Sequence, residues 1–180
     1  MHRTIELPLR RPIVVHLMQR DRLMQFRDFL APERIISDLS ASTKAEAISE
    51  LAEPLFTNGI LNPELRDGVL SALFHREELQ TTALGQGLSL AIPHAKHPGV
   101  RGLVGVFGRS REGVDFAAPD GQPVHLFIML LSNRECADRH LEALAYISRK
   151  FRDQDLRNLI LKAVNKGQIM DFLEDADNED

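Results

Sequence analysis

The chain has 180 residues, 43% hydrophobic and 27% charged, with 22 basic against 26 acidic side chains and a net charge of −4. These proportions suit one folded domain and exclude wholesale disorder, and the acidic balance argues against a generic nucleic-acid binder. The single cysteine, Cys136, excludes an internal disulfide and a cysteine-held metal, a pattern expected of a cytoplasmic protein.

Residues 1–23 carry five arginines against Glu6 and Asp21, a net +3, while residues 24–180 sum to −7. Pro8, Pro12 and scattered arginines give the first 23 residues no sustained period. That segment is expected to be a poorly ordered extension, or absent from the protein made in the cell if Met24 is the true start. Its short Ile13-Val14-Val15 run is too small for a signal peptide. No later stretch approaches the ~20 apolar residues of a membrane helix, so no membrane insertion is expected.

Ile35-Ile36-Ser37-Asp38-Leu39 is apolar and β-prone and reads as a strand. Thr43 and Glu46 have capping-box spacing, and Ala47, Ile48, Leu51 and Leu55 recur at helical spacing, which predicts a helix over roughly 43–57 that Asn58-Gly59 stops. Asn62-Pro63 opens a second helix, with Val69, Leu70, Leu73 and Phe74 inward and an end near Glu78. Gly85-Gln86-Gly87 reads as a turn before a short strand, Leu88 to Ile92, that Pro93 terminates. Leu103–Phe107 and Val124–Leu131 are apolar at both parities, as in strands covered on both faces, with a turn at Pro119-Asp120-Gly121 between them. Ser132 to Glu135 has the spacing of a second capping box, heading a long helix whose apolar face is Leu141, Leu144, Ala145, Ile147, Ser148 and Phe151. Helices around 153–164 and 167–174 follow, and residues 174–180, with five acids, are expected to be a solvated, frayed tail. The pattern is α/β, with strands and helices alternating so that helices lie on both sides of a central sheet.

Seven histidines are the main chemical resource. His94 follows an apolar strand and a proline, a place where α/β folds present site residues. His140 falls in the first turns of a helix that follows a strand, where an anion is favoured. From spacing alone each also reads as an ordinary surface histidine. If strands 88–92 and 124–131 share a sheet with their C-terminal ends together, the two imidazoles meet and can hold a phosphoryl group between them. His75 reads as helix surface, His97 as a turn residue and His125 as a strand start of either facing; His2 and His16 belong to the unpatterned segment. None has a recognised zinc spacing, Gly85-Gln86-Gly87 completes neither a dinucleotide fingerprint nor a P-loop, and Cys136 reads as a lone helix residue.

The run Arg76-Glu77-Glu78-Leu79-Gln80-Thr81-Thr82-Ala83-Leu84-Gly85-Gln86-Gly87, followed by Ala91-Ile92-Pro93-His94, resembles the active-site signature of the enzyme IIA domains of the fructose/mannitol type, in the phosphoenolpyruvate-dependent sugar phosphotransferase system. The nitrogen-regulatory IIA protein is of the same type. Gly113-Val114-Asp115-Phe116, Asp120-Gly121-Gln122-Pro123-Val124 and His140-Leu141 extend the resemblance over residues 24–173. It implies the enzyme IIA type-2 fold, a mixed sheet of about five strands flanked by helices on both sides, with His94 taking the phosphoryl group on its tele nitrogen from the phosphocarrier HPr or its nitrogen-branch paralogue. It also implies that His140 supports the phosphoryl group, that Arg76 neutralises its charge, and that Thr82 is a loop contact. No metal or cofactor is implied, because the donor protein brings the phosphoryl group; a IIB domain or a regulatory target would receive it. The alternative within the same resemblance is a nitrogen-regulatory protein that acts as a phosphorylation-controlled binding module. The signature usually places its second glycine five residues before the histidine, whereas Gly87 stands seven before His94. A bulge or longer turn must take up the two residues, and an even insertion preserves the facing of His94.

Overall fold

The computed structural model describes residues 23–178; the N-terminal segment, apart from Leu23, lies outside the described residues. Five strands form one mixed sheet: β1 Ile35–Ile36, β2 Leu90–Ala91, β3 His94–Lys96, β4 Leu103–Val114 and β5 Val124–Ser132. The order is β1-β4-β5-β2, with β3 also on β5. β4 and β5 are antiparallel, and the other pairings are parallel. The helices are α1 Lys44–Thr57, α2 Arg66–Leu79, α3 Ala137–Lys150, α4 Gln154–Lys162 and α5 Lys166–Asp177.

The central strand shows why helices cover both faces. Phe127, Met129 and Leu131 enter a core with Ile48, Leu51, Leu55, Val69 and Leu73 of α1 and α2. The alternate residues Leu126, Ile128 and Leu130 enter a second core with Ile147, Ile160, Ile169 and Leu173 of α3, α4 and α5. A strand buried on both faces has no polar parity, as its sequence anticipated. β4 passes so close to α1 that a Cβ on Gly108 would stand 2.6 Å from Leu51 Cδ2, which only glycine allows.

The predicted first helix begins at its predicted cap. Thr43 Oγ1 accepts from the Glu46 amide, and the Glu46 carboxylate accepts from the Thr43 amide at 3.0 Å. The second helix starts with a 3₁₀ turn at Pro63–Leu65, capped by Asn62.

Three expectations are corrected. Pro93 interrupts the strand without ending it: β3 resumes at His94 in register with Leu130, and Leu130 N donates to Pro93 O at 2.9 Å. In a parallel ladder a proline still accepts, so it costs one donor and not the strand. The capping box at Ser132 does not form; Asn133 is the cap, its side chain accepting from the Cys136 amide at 3.1 Å across a 3₁₀ turn that leads into α3. The acidic run does not begin a tail at Glu174. α5 continues to Asp177 because Ala176 is buried in the second core and the Asp177 carboxylate accepts from Phe26 N and from the Tyr146 hydroxyl.

Ahead of β2, between Gly85 and Leu90, the chain makes a tight turn. Gly85, Gln86, Gly87 and Ser89 all have φ between 52° and 71°, and Leu88 N returns to Gly85 O at 3.0 Å. This tight turn is held by Gly87 N donating to the Asp120 carboxylate at 2.9 Å. β2 and β3 then run on β5 with His94 in its ladder position.

Candidate active site

His94 is the first residue of β3, just past the end of β2, and pairs with Leu130 near the C-terminal end of β5. Its imidazole is fixed at both nitrogens. Nδ1 lies 2.7 Å from the carbonyl oxygen of Ile92, which can only accept, so Nδ1 carries the hydrogen. Nε2 accepts from Nε of Arg76 at 3.1 Å and therefore presents a lone pair. Burial lowers the His94 pKa; the Ile92 carbonyl opposes this and the Arg76 charge adds to it. The ring is thus neutral near pH 7, with Nε2 as its nucleophilic atom.

Arg76 reaches this position from the last turns of α2, where Nη1 donates to Gln80 O at 2.9 Å and braces the guanidinium across the helix end. His140 comes from the first turn of α3, and its ring meets that of His94 edge to face with centroids 5.6 Å apart. The His140 pKa is pushed down to about 4, first by burial and then by the neighbouring His94 and Lys96. Its Nδ1 lies 2.7 Å from the hydroxyl of Ser132, the last residue of β5. Both imidazoles and Arg76 line a cavity of about 380 Å³ whose rim includes Leu141 and Leu144. A second cavity of about 420 Å³ adjoins Arg76 and His94 on the side of the Thr81–Leu84 loop. The site therefore brings together three of the four residues singled out in the sequence.

Thr82 lines the second cavity, yet its hydroxyl is committed elsewhere. It donates to Glu77 at 2.6 Å, and the Thr82 amide donates to the same carboxylate at 2.9 Å. Glu77 is buried at 5% exposure and is also paired with Lys44 Nζ at 3.1 Å. Sequence reasoning passed over Glu77, as it did Ser132. The carboxylate pins the loop to α2 one residue after Arg76, and its only sequence signal is its place within the signature. His75 is exposed, as expected, on the rim of the first cavity. His125 is held away from the site by Ser110 O, 2.9 Å from its Nδ1.

A family model described as "Phosphoenolpyruvate-dependent sugar phosphotransferase system, EIIA 2" matches residues 28–176. This chain belongs to that enzyme IIA family. A nitrogen regulatory protein of Bradyrhizobium diazoefficiens is 40% identical over 133 residues, covering 74% of this chain and 84% of the relative. The fructose-specific EIIABC component of Bacillus subtilis is 32% identical over 154 residues, 86% of this chain but 24% of that longer protein. The crystal structure of the nitrogen regulatory protein IIA-Ntr from Neisseria meningitidis superposes with a TM-score of 0.72 at 34% identity, covering 81% of this chain and 97% of that one. The mixed sheet with helices on both faces is thus the fold of enzyme IIA proteins of this type. Enzyme IIA domains are phosphotransfer components, and a phosphoryl-carrier role follows for this chain at that level. Among the described residues no helix is long and apolar enough to cross a membrane.

Proposed function

We propose that the protein carries a phosphoryl group on Nε2 of His94, accepted from the phosphocarrier HPr or its nitrogen-branch paralogue. The observation that carries this reading is the double fixation of His94. The Ile92 carbonyl holds the hydrogen on Nδ1, which leaves one lone pair, on Nε2, at the wall of the cavity shared with His140. In transfer that lone pair attacks phosphorus, the donor nitrogen–phosphorus bond breaks with its electron pair returning to the donor nitrogen, and the hydrogen stays on Nδ1, donated to Ile92 O. Arg76, which donates to the free Nε2, turns its donors to the phosphoryl oxygens once that lone pair is used. Positioning and charge neutralisation are what phosphoryl transfer chiefly requires, and Arg76 with His140 provides both.

Labelled phosphoenolpyruvate, enzyme I and HPr should leave an acid-labile, alkali-stable phosphohistidine at position 94. His94→Ala should take up no label while melting at the wild-type temperature. Label on a different residue of the wild type would refute the assignment.

The 40% identity to a nitrogen regulatory protein supports a second use of the same phosphohistidine, as a switch of partner choice in place of onward transfer to a IIB domain. A pull-down with phosphorylated wild type and with His94→Ala tests it; identical partners for both exclude the switch. Either use places the protein in the cytoplasm beside its phosphocarrier.

A further inference from the structure

Ser132 ends β5 as a fully buried residue, flanked by Leu103 of β4 and Lys96 of β3. Its carbonyl is taken by the His97 amide at 2.8 Å. Its hydroxyl oxygen lies 2.7 Å from Nδ1 of His140, and no other side-chain hydrogen bond of Ser132 is formed among the described residues. That isolation decides the direction of the bond. Were Nδ1–H the donor, the hydroxyl hydrogen would be buried with no acceptor, a costly arrangement. With the hydroxyl donating, its hydrogen is satisfied by the imidazole lone pair, and the ring keeps its own hydrogen on Nε2.

We infer that Ser132 is a positioning residue for phosphoryl transfer: by donating to Nδ1 it holds His140 as the Nε2–H tautomer, the reverse of His94. The inference rests on His94 being the phosphoryl carrier. The two rings, edge to face on one cavity, then have complementary chemistry. His94 presents a lone pair to phosphorus, and the neutral His140 retains an N–H to donate to a phosphoryl oxygen. In the opposite tautomer His140 would offer a second lone pair to an anion, which repels it. A carbonyl sets the tautomer of the first ring and a hydroxyl that of the second, because one can only accept and the other has a hydrogen to place.

Two-bond ¹H–¹⁵N NMR of the uniformly labelled wild type near pH 7.5 reads both tautomers without any phosphoryl donor. The expected spectrum has an Nε2–H and a hydrogen-bonded, lone-pair Nδ1 for His140, with the reverse protonation for His94. Ser132→Ala should lose the hydrogen-bonded signature of Nδ1 and slow labelling of His94 on the order of 10-fold, while still folding at the assay temperature with a melting point lowered by the lost buried hydrogen bond. Ser132→Thr, which keeps the hydroxyl, should restore the rate. An Nδ1–H His140 in the wild type overturns the proposal, as does a Ser132→Ala protein with wild-type rate and spectrum. Failure of the carrier reading shows separately, as a wild type that takes up no label.

Discussion

His94 and His140 answer pH in the same sense, because burial disfavours the charged form of each. For His140 the folded value is about 4 against an ordinary 6.5. Between those values the unfolded chain binds the proton and the folded one does not, so stability rises with pH across that window. The contribution is complete above pH 6.5, is lost as pH falls toward 4, and amounts to on the order of 3 kcal/mol. Urea midpoints of the wild type should therefore fall more steeply from pH 6.5 to 4.5 than those of His140→Asn, whose amide oxygen still suits Ser132; parallel slopes would refute this. At this scale the grouping of His94, His140 and Arg76 followed from the resemblance to a spaced signature, whereas spacing alone read both histidines as surface residues. Ser132 and Glu77 were not legible in the sequence. A serine before an asparagine looks like a local cap, but its hydroxyl is claimed by His140, eight residues later. A glutamate in a helix looks solvated until Lys44 and the Thr82 loop close over it.

The elements divide in the same way. α1 was read to within a residue because its cap and its apolar period are both local. The existence of α3 was equally plain, and its expected inward face holds in part, with Ile147 and Phe151 fully buried and Leu144 packed against the second core. Its buried residues are His140, Ala143, Tyr146 and Ile147, while Leu141 is 63% exposed and Ala145 is also exposed. Leu141 and Leu144 line the active-site cavity, and Leu144 also packs against the second core. Between elements, the buried Arg109 of β4 joins the sheet to α4. It donates from Nε to Ser37 O at 2.7 Å and from Nη1 to the carbonyls of Ile160, Leu161 and Ala163 at 2.6–3.3 Å. Those α4 carbonyls lie where a helix end leaves acceptors unpaired. Arg109→Met should cost about 3 kcal/mol by leaving several buried acceptors unsatisfied. Chemical denaturation checks it, and a loss below about 1 kcal/mol would assign the arginine no structural role.

Across the whole molecule the two ends of the folded unit meet. Asp177 accepts from the Phe26 amide at 3.0 and 3.1 Å and from the Tyr146 hydroxyl, and Lys150 Nζ donates to Ala176 O at 2.6 Å. Truncation after Leu173, harmless if the acidic run were a frayed tail, should lower stability by about 3 kcal/mol through these bonds and the burial of Ala176. An unchanged melting temperature in the truncated chain would refute the clasp. The sequence alone determined the α/β class, the two-sided sheet, the start of α1 and the histidine signature. All of these are written in periodicity, caps and short motifs, where the decisive neighbours lie within a few residues. Only the tertiary structure decided which groups satisfy Glu77, Ser132, Arg109 and Asp177. Those partners stand 5 to 151 residues away along the chain, and a buried polar group is defined by what the fold brings to it.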